Sequence, residues 1–328
     1  MKVFIVIWCL IFGFTVSAQN NAKWMQKSRF GIMHHFLADL IARAENMDMN
    51  VETWNKLVDE FDVNGLSNQL HSVGAEYCIL TIGQNSGYYL SPNKTYDQLT
   101  GISPSKCSRR DLVADLSEAL KKNGIKLIVY LPAGAPAGDQ VACEALQWQN
   151  GPFPNKEFQQ KWESVILEWS MRWGDKIAGW WFDGCYWPNT MYRSKTPPNF
   201  ESFATAAKAG NKKSVVAFNP GVVNRTISIT PYEDYIAGEI SNPNLMSLMR
   251  IFDGVVDGSQ LQILSYLGDR WGTGEPRFNI EQVLGWCEKV WNKQGTVTWD
   301  VPLQPNGSIK DVFLEQLKVV GRAAKSSL

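Results

Sequence analysis

An excess of charge of either sign is missing from this chain of 328 residues: 32 basic side chains stand against 32 acidic ones, for a net charge of +0. Without a basic field nothing draws in a nucleic-acid backbone, and without a long charge run there is no interaction tail. Histidine is scarce, three in all, and no HxxxH or HExxH spacing occurs. Two of the three, His34 and His35, are adjacent and cannot both chelate easily from one strand, so a metal site has little to be built from. No GxGxxG follows a candidate strand and no GKS/T loop is present, which leaves nucleotide chemistry without a foothold. No nucleophile-elbow sequence supports a Ser or Cys triad. No linker, composition shift or internal repeat divides the chain, so one domain is expected.

Long apolar runs are also few. The one at the start, residues 3–16, follows Lys2, is broken only by Gly13 and Thr15, and runs into the small-x-small triplet Val16-Ser17-Ala18. That is the form of a secretory signal, and it is short for a membrane span. Residues 1–20 are therefore read as a signal, and residues 21–328 as an exported protein, periplasmic or secreted, with no span. Removing the signal leaves Cys78, Cys107, Cys143, Cys185 and Cys287, an odd set without paired spacing. Cys78 and Cys185 fall in or beside candidate strands, where a buried free thiol is the usual state. A disulfide among the others stays open. Asn93, Asn224 and Asn306 head triplets of the glycosylation pattern, which also arises by chance.

What the chain does have is tryptophan, 14 residues. Indole stacks on the apolar face of a pyranose, although large cores use it too. The stretch Gly179-Trp180-Trp181-Phe182-Asp183-Gly184 stands out: a short apolar run bounded by glycines that delivers one carboxylate. It suits a buried parallel strand ending at the mouth of a barrel, with Tyr186 and Trp187 close behind as a stacking surface. The plainer alternative is a core strand whose Asp caps the next loop.

Further runs of strand length lie at residues 29–36, 76–83, 126–131, 214–219, 234–239, 261–267 and 296–301. Helical periodicity falls between them at 51–60, 66–73, 111–122, 157–173, 200–209 and 280–291, and after the last strand at 309–323. Strands alternating with helices about eight times indicate a (β/α)8 TIM-like barrel; a doubly wound open sheet is the second choice.

In a parallel barrel the groups at the C-terminal strand ends converge on one face. Those groups are His34 and His35, Gln84 and Asn85, Asp183, Asn219 and Glu239. Paired acids flanking a glycosidic bond are the minimal equipment of a glycosidase, one attacking the anomeric carbon while the other protonates the departing oxygen. For Glu239 a salt-bridged strand-end acid is the competing explanation. Successive strand residues face opposite ways, so only one of His34 and His35 can point inward. His71 belongs to a helix surface.

These motifs stand in a familiar order. The chain resembles the α-L-fucosidases of glycoside hydrolase family 29. Arg29-Phe30-Gly31-Ile32-Met33-His34-His35-Phe36 is similar to the family's FGIFxHW strand, and Gly74-Ala75-Glu76-Tyr77-Cys78-Ile79-Leu80-Thr81 to its AGAKYAVLT. Ser108-Arg109-Arg110-Asp111-Leu112-Val113 matches KRDLV, and Trp181-Phe182-Asp183-Gly184 matches the strand that bears the nucleophile. Asp234-Tyr235-Ile236-Ala237-Gly238-Glu239 is similar to DYxTPE. Gly295-Thr296-Val297-Thr298-Trp299-Asp300 through Asn306-Gly307 is similar to GNLLLNIGPxPDG. The resemblance runs from about residue 24 to about residue 325 and implies Asp183 as nucleophile, Glu239 as acid/base and His35 as a sugar ligand. With those roles, His35, Gln84 and Asn85 are expected to hold the sugar ring, with Asn219 also binding substrate and Trp181, Tyr186 and Trp187 near the subsites. Most members continue into a C-terminal β-sandwich, which is expected to be absent here.

The departures bear on specificity. Where the family carries KHHDGF, this chain has Gly83-Gln84-Asn85-Ser86-Gly87-Tyr88, and the family's NDR is replaced by Asn219-Pro220-Gly221. A site built around particular hydroxyls rejects analogues strongly, so a changed grip implies a changed sugar. The expectation is a retaining exo-α-glycosidase acting on a glycan, removing fucose or a related sugar, with neither metal nor organic cofactor. The alternative is a barrel of the same family that binds a glycan without cleaving it. Oligomeric state, linkage and sugar identity are left open.

Overall fold

Seven short apolar runs pair side by side because each is bounded by glycine, proline or polar turns and presents alternating faces to two separate cores. A computed structural model of the chain describes residues 21–187 and 192–326, so the expected signal lies outside the described residues. The strands are β1 (Phe30–His34), β2 (Tyr77–Thr81), β3 (Lys126–Pro132), β4 (Gly179–Asp183), β5 (Val215–Phe218), a two-residue pair β6 (Val255–Val256) and β7 (Ser259–Gln260), then β8 (Gln262–Tyr266) and β9 (Thr296–Asp300). β6 and β7 form their own small antiparallel ribbon. The other seven build one curled, wholly parallel sheet in the order β5-β4-β3-β2-β1-β9-β8. Helices connect the strands, as parallel pairing requires, and the described residues form a single α/β domain.

The pleat separates the two cores. Ile32, Leu80, Leu127, Val129, Trp180, Phe182, Val216, Phe218 and Trp299 pack outward against the helices. Met33, Tyr77, Ile79, Ile128, Tyr130, Trp181, Val215, Ala217 and Leu264 fill the inside of the curl. Inward residues recur every second position, as a strand dictates. The longest helix, Lys156–Trp173, buries Phe158, Trp162, Val165, Ile166, Trp169 and Trp173 at three- and four-residue spacing. Trp169 and Trp173 stack 5.9 Å apart, so much of the tryptophan is structural.

Seven of the eight expected strands form. The other, residues 234–239, pairs only through isolated bridges, Tyr235 with Gln260 of β7 and Glu239 with Leu264 of β8. It reaches β5 through the Asp234 amide, which donates to the Val216 carbonyl at 2.8 Å. The cause is Gly238, whose φ is +63; a Cβ there would stand 2.0 Å from the Gln262 carbonyl oxygen. That kink breaks the extended run and aims the next residue, Glu239. Gly238→Ala is expected to cost roughly 2–4 kcal/mol of stability through strain and clash, and to displace Glu239, read as a lowered Tm and a loss of turnover.

His71 is exposed on its helix, as expected. Cys78 and Cys185 are buried free thiols, and Cys107, Cys143 and Cys287 are free as well. Asn93 is fully buried; its Oδ1 accepts from the Tyr96 amide and its Nδ2 donates to the Val165 carbonyl, so this side chain is a helix cap rather than a glycan acceptor. Helices at Lys23–Ser28, Ala38–Glu45, Lys94–Thr100 and Gln140–Leu146 were not signalled by periodicity, since each is eight residues or shorter.

Candidate active site

Carrying the inward alternation past the strand ends places His35 beyond Met33, Asp183 beyond Trp181, Asn219 beyond Ala217 and Glu239 beyond Ala237. A cavity of about 270 Å³ opens among them, lined by His35, Gln84, Tyr130, Trp181, Asp183, Tyr186, Glu239 and Trp271.

Three donors converge on the Asp183 carboxylate. The Tyr130 hydroxyl reaches Oδ2 at 2.6 Å, and the Asn219 amide and the Gly184 backbone N–H reach Oδ1 at 2.8 Å each. Gln84 donates to the Tyr130 hydroxyl in turn, at 2.5 Å. Burial, then the Asp183 charge, raises the Tyr130 hydroxyl well above its ordinary value, so it stays a donor. Its ring lies flat on Trp181, 5.3 Å between centroids and 16° between planes.

Asn219, fully buried, ties the two acids together. The same Nδ2 that binds Asp183 also donates to Oε2 of Glu239, and its Oδ1 is held by the Gly221 amide. An amide nitrogen has two hydrogens, one for each carboxylate. The nearest oxygens of the pair therefore lie no more than two hydrogen-bond lengths apart. Burial, then the Asp183 charge, raises Glu239 to about 7, against the opposing pull of Asn219 and His35. Two acids whose environments set one of them near neutrality are equipped for acid/base work at that pH.

Of the expected site residues, Asp183, Glu239, His35, Gln84, Trp181, Tyr186 and Asn219 are brought together. His34 is not: it turns outward, its Nδ1 lies 2.7 Å from the Val301 carbonyl, and burial lowers it to about 4. Asn85 is exposed and outside the cavity lining, its carbonyl accepting from Gly138. Trp187 is exposed and outside the cavity lining, while Tyr186, 55% exposed, is part of that lining. Three site residues escaped the sequence reading: Tyr130, Asp300 and Trp271. Tyr130 and Asp300 both have the inward parity of strand-end groups, a signal as legible as that of Asp183; Trp271 sits on a turn and has none. Tyr130→Phe removes a charge-assisted bond and strands Gln84, so kcat is expected to fall about tenfold to a hundredfold, with less change in KM.

In overall shape the chain is similar to two endo-fucoidan hydrolases from glycoside hydrolase family 107. The first has 18% identity and a TM-score of 0.72, and the second 17% and 0.73, each match covering 93% of this chain. The chain spans 53% of the first and 64% of the second. It is also similar to an unliganded α-L-fucosidase from Lactobacillus casei, at 14% identity and a TM-score of 0.65, covering 94% of this chain and 99% of that one. No curated protein matches in sequence. The α-L-fucosidase family model matches residues 48–325, which take in the cavity residues from Gln84 to Asp300 but not His35, and this chain belongs to that family.

Proposed function

We propose that this protein is an exported, retaining exo-α-glycosidase that removes a terminal fucose or a related sugar by double displacement. The observation that carries the reading is the single Asn219 amide shared by Asp183 and Glu239. A shared donor caps the distance between their nearest oxygens at two hydrogen-bond lengths, which supports the closer spacing of about 5–5.5 Å used for retention over the roughly 6.5–9.5 Å that leaves room for a water in inversion. Glu239 gives its proton to the glycosidic oxygen as an Asp183 oxygen attacks the anomeric carbon, and a covalent glycosyl-enzyme forms. Water then enters, Glu239 takes its proton, and the sugar leaves with its configuration kept.

The parallel sheet supports a (β/α)8 barrel in which residues 234–240 occupy the remaining strand place between β5 and β8. The cavity lies near the small end of ligand pockets, about 300–1,000 Å³, which favours one terminal ring over a threaded polymer. Fucose configuration is supported by the names of the similar structures, fucoidan hydrolases and an α-L-fucosidase. Export rests on Lys2 and the apolar run of residues 3–16. A second reading, internal cleavage of a fucose polymer, is favoured by the likeness to the endo-hydrolases and by the exposure of Tyr186 in the cavity lining and of Trp187 next to it in sequence.

The test is hydrolysis of p-nitrophenyl α-L-fucoside beside other glycosides and a fucoidan, followed by NMR of the first-released anomer. Release of α-fucose before mutarotation is expected. Release of β-fucose would reject Asp183 as nucleophile, and affinity without turnover across the panel would make the protein a glycan binder.

A further inference from the structure

Asp300 closes β9 at a position fully shut off from solvent. Strand pairing sets it beside Met33 of β1 and Tyr266 of β8, the two segments that form one wall of the cavity. Its Oδ1 meets Nδ1 of His35 at 2.8 Å, and its Oδ2 accepts the Gly272 backbone N–H at 2.6 Å. Gly272 has a φ of +66, and a Cβ there would stand 2.5 Å from Cβ of His35, so the turn after β8 packs bare backbone against that residue. Trp271, one residue earlier, lines the same cavity with its ring 5.9 Å from His35 and 4.6 Å from Tyr266.

A carboxylate buried this deeply is costly unless a positive partner compensates it, and His35 is its ion-pair partner. Burial draws the His35 proton affinity down. The Asp300 charge and hydrogen bond, with Asp183 and Glu239 also in range, outweigh burial and raise it. The groups facing the ring are Asp300 from β9, Asp183 from β4, Glu239 from residues 234–240, Tyr130 from β3 and the neighbouring His34 on β1. The two imidazole N–H directions diverge, so anchoring Nδ1 on Asp300 turns Nε2 away from it, towards the cavity.

We propose that Asp300 is a positioning residue of this pocket: one oxygen holds His35 with Nε2 presented to a sugar hydroxyl, and the other clamps the turn that sets Trp271 against the same sugar. The inference rests on the reading of the cavity as a sugar site. It makes one carboxylate responsible for two walls of the pocket without touching substrate, and it assigns the sugar's grip here to an imidazole held from behind.

The experiment compares the wild type with Asp300→Asn, which keeps the shape and an acceptor, and Asp300→Ala, which removes both contacts. Nitrogen–proton NMR follows the His35 ring through a pH titration of the sugar-free protein, its signals assigned with a His35→Gln variant. In Asp300→Asn the ring's half-titration point is expected to fall by at least about one pH unit. KM for p-nitrophenyl α-L-fucoside is expected to rise about tenfold in Asp300→Asn, with kcat within about threefold, and about a hundredfold in Asp300→Ala. Hydrogen exchange at residues 271–273 should quicken in Asp300→Ala alone. An unchanged ring titration in Asp300→Asn, or an unchanged KM in both variants, would overturn the proposal. If the titration shifts while the wild type neither cleaves the fucoside nor binds fucose, the sugar reading fails by itself and the coupling of Asp300 to His35 stands.

Discussion

Asp183→Ala is expected to lower kcat on p-nitrophenyl α-L-fucoside by at least about 10⁴-fold while leaving the fold intact. Among the described residues no other carboxylate of the site can take its place, because Glu239 is committed to the leaving-group oxygen and Asp300 is bound on both oxygens, by His35 and Gly272. Loss of a nucleophile removes the covalent step entirely rather than weakening it. Stability should change by less than about 2 kcal/mol, since opposing effects meet at this position. Removing the carboxylate leaves the Tyr130 hydroxyl, one Asn219 hydrogen and the Gly184 N–H without their acceptor, but it also removes a charge that pushes Glu239 upward. A secondary consequence follows: Glu239 should titrate closer to an ordinary glutamate in this variant, a shift that NMR of a carboxyl-labelled protein reads directly. Turnover near the wild-type rate in a folded Asp183→Ala protein would remove Asp183 from the role.

The residues of the site that could be read in advance are those governed by strand parity. Once a run such as Gly179-Trp180-Trp181-Phe182-Asp183 is taken as a parallel strand, the direction of its last residue follows from the alternation. The same rule separates His35, inside, from His34, which is spent on the Val301 carbonyl. Applied to every strand, it would also have selected Tyr130 and Asp300. A tyrosine and an aspartate near strand ends have many ordinary uses, so parity alone gives those two no distinct role. Turn geometry was not legible. Asn85 follows β2 through a turn in which Gly83 bridges to Tyr89, and that turn carries Asn85 outward while Gln84 stays in. Trp271 depends on a turn anchored from another strand by Asp300. Residues 234–239 have a strand's composition, yet Gly238 bends the backbone, and only the packing against Gln262 reveals why glycine is needed there. The family resemblance supplied the roles of the two acids; the Asn219 bridge that sets their spacing is a property of the folded site.

Glu239→Gln should separate catalysis from stability in opposite directions. With Glu239 raised to about 7, its acid form is lost as pH climbs through neutrality, so the wild-type rate should have an alkaline limb near pH 7. The glutamine variant should lose that limb. On a substrate with a poor leaving group its kcat should fall by about 10³-fold or more, because nothing protonates the glycosidic oxygen. A nitrophenolate needs little protonation, so the first step should survive and the second, deprived of its base, should stall; stopped-flow is expected to show a burst of about one equivalent of nitrophenol. The same raised affinity acts on folding. An acid whose native value lies above its unfolded value of 4.5 carries no penalty below that pH, and the native state loses stability as pH rises from there through about 7, above which the loss levels off. Glutamine has no charge to bury, and its side-chain oxygen can still accept from Asn219. Glu239→Gln should therefore be more stable than the wild type at pH 8, by roughly 1–3 kcal/mol, and about equal to it at pH 4. Urea melts at the two values measure this. A variant less stable at pH 8, with the alkaline limb still present, would show that Glu239 neither carries the catalytic proton nor is held above its ordinary range.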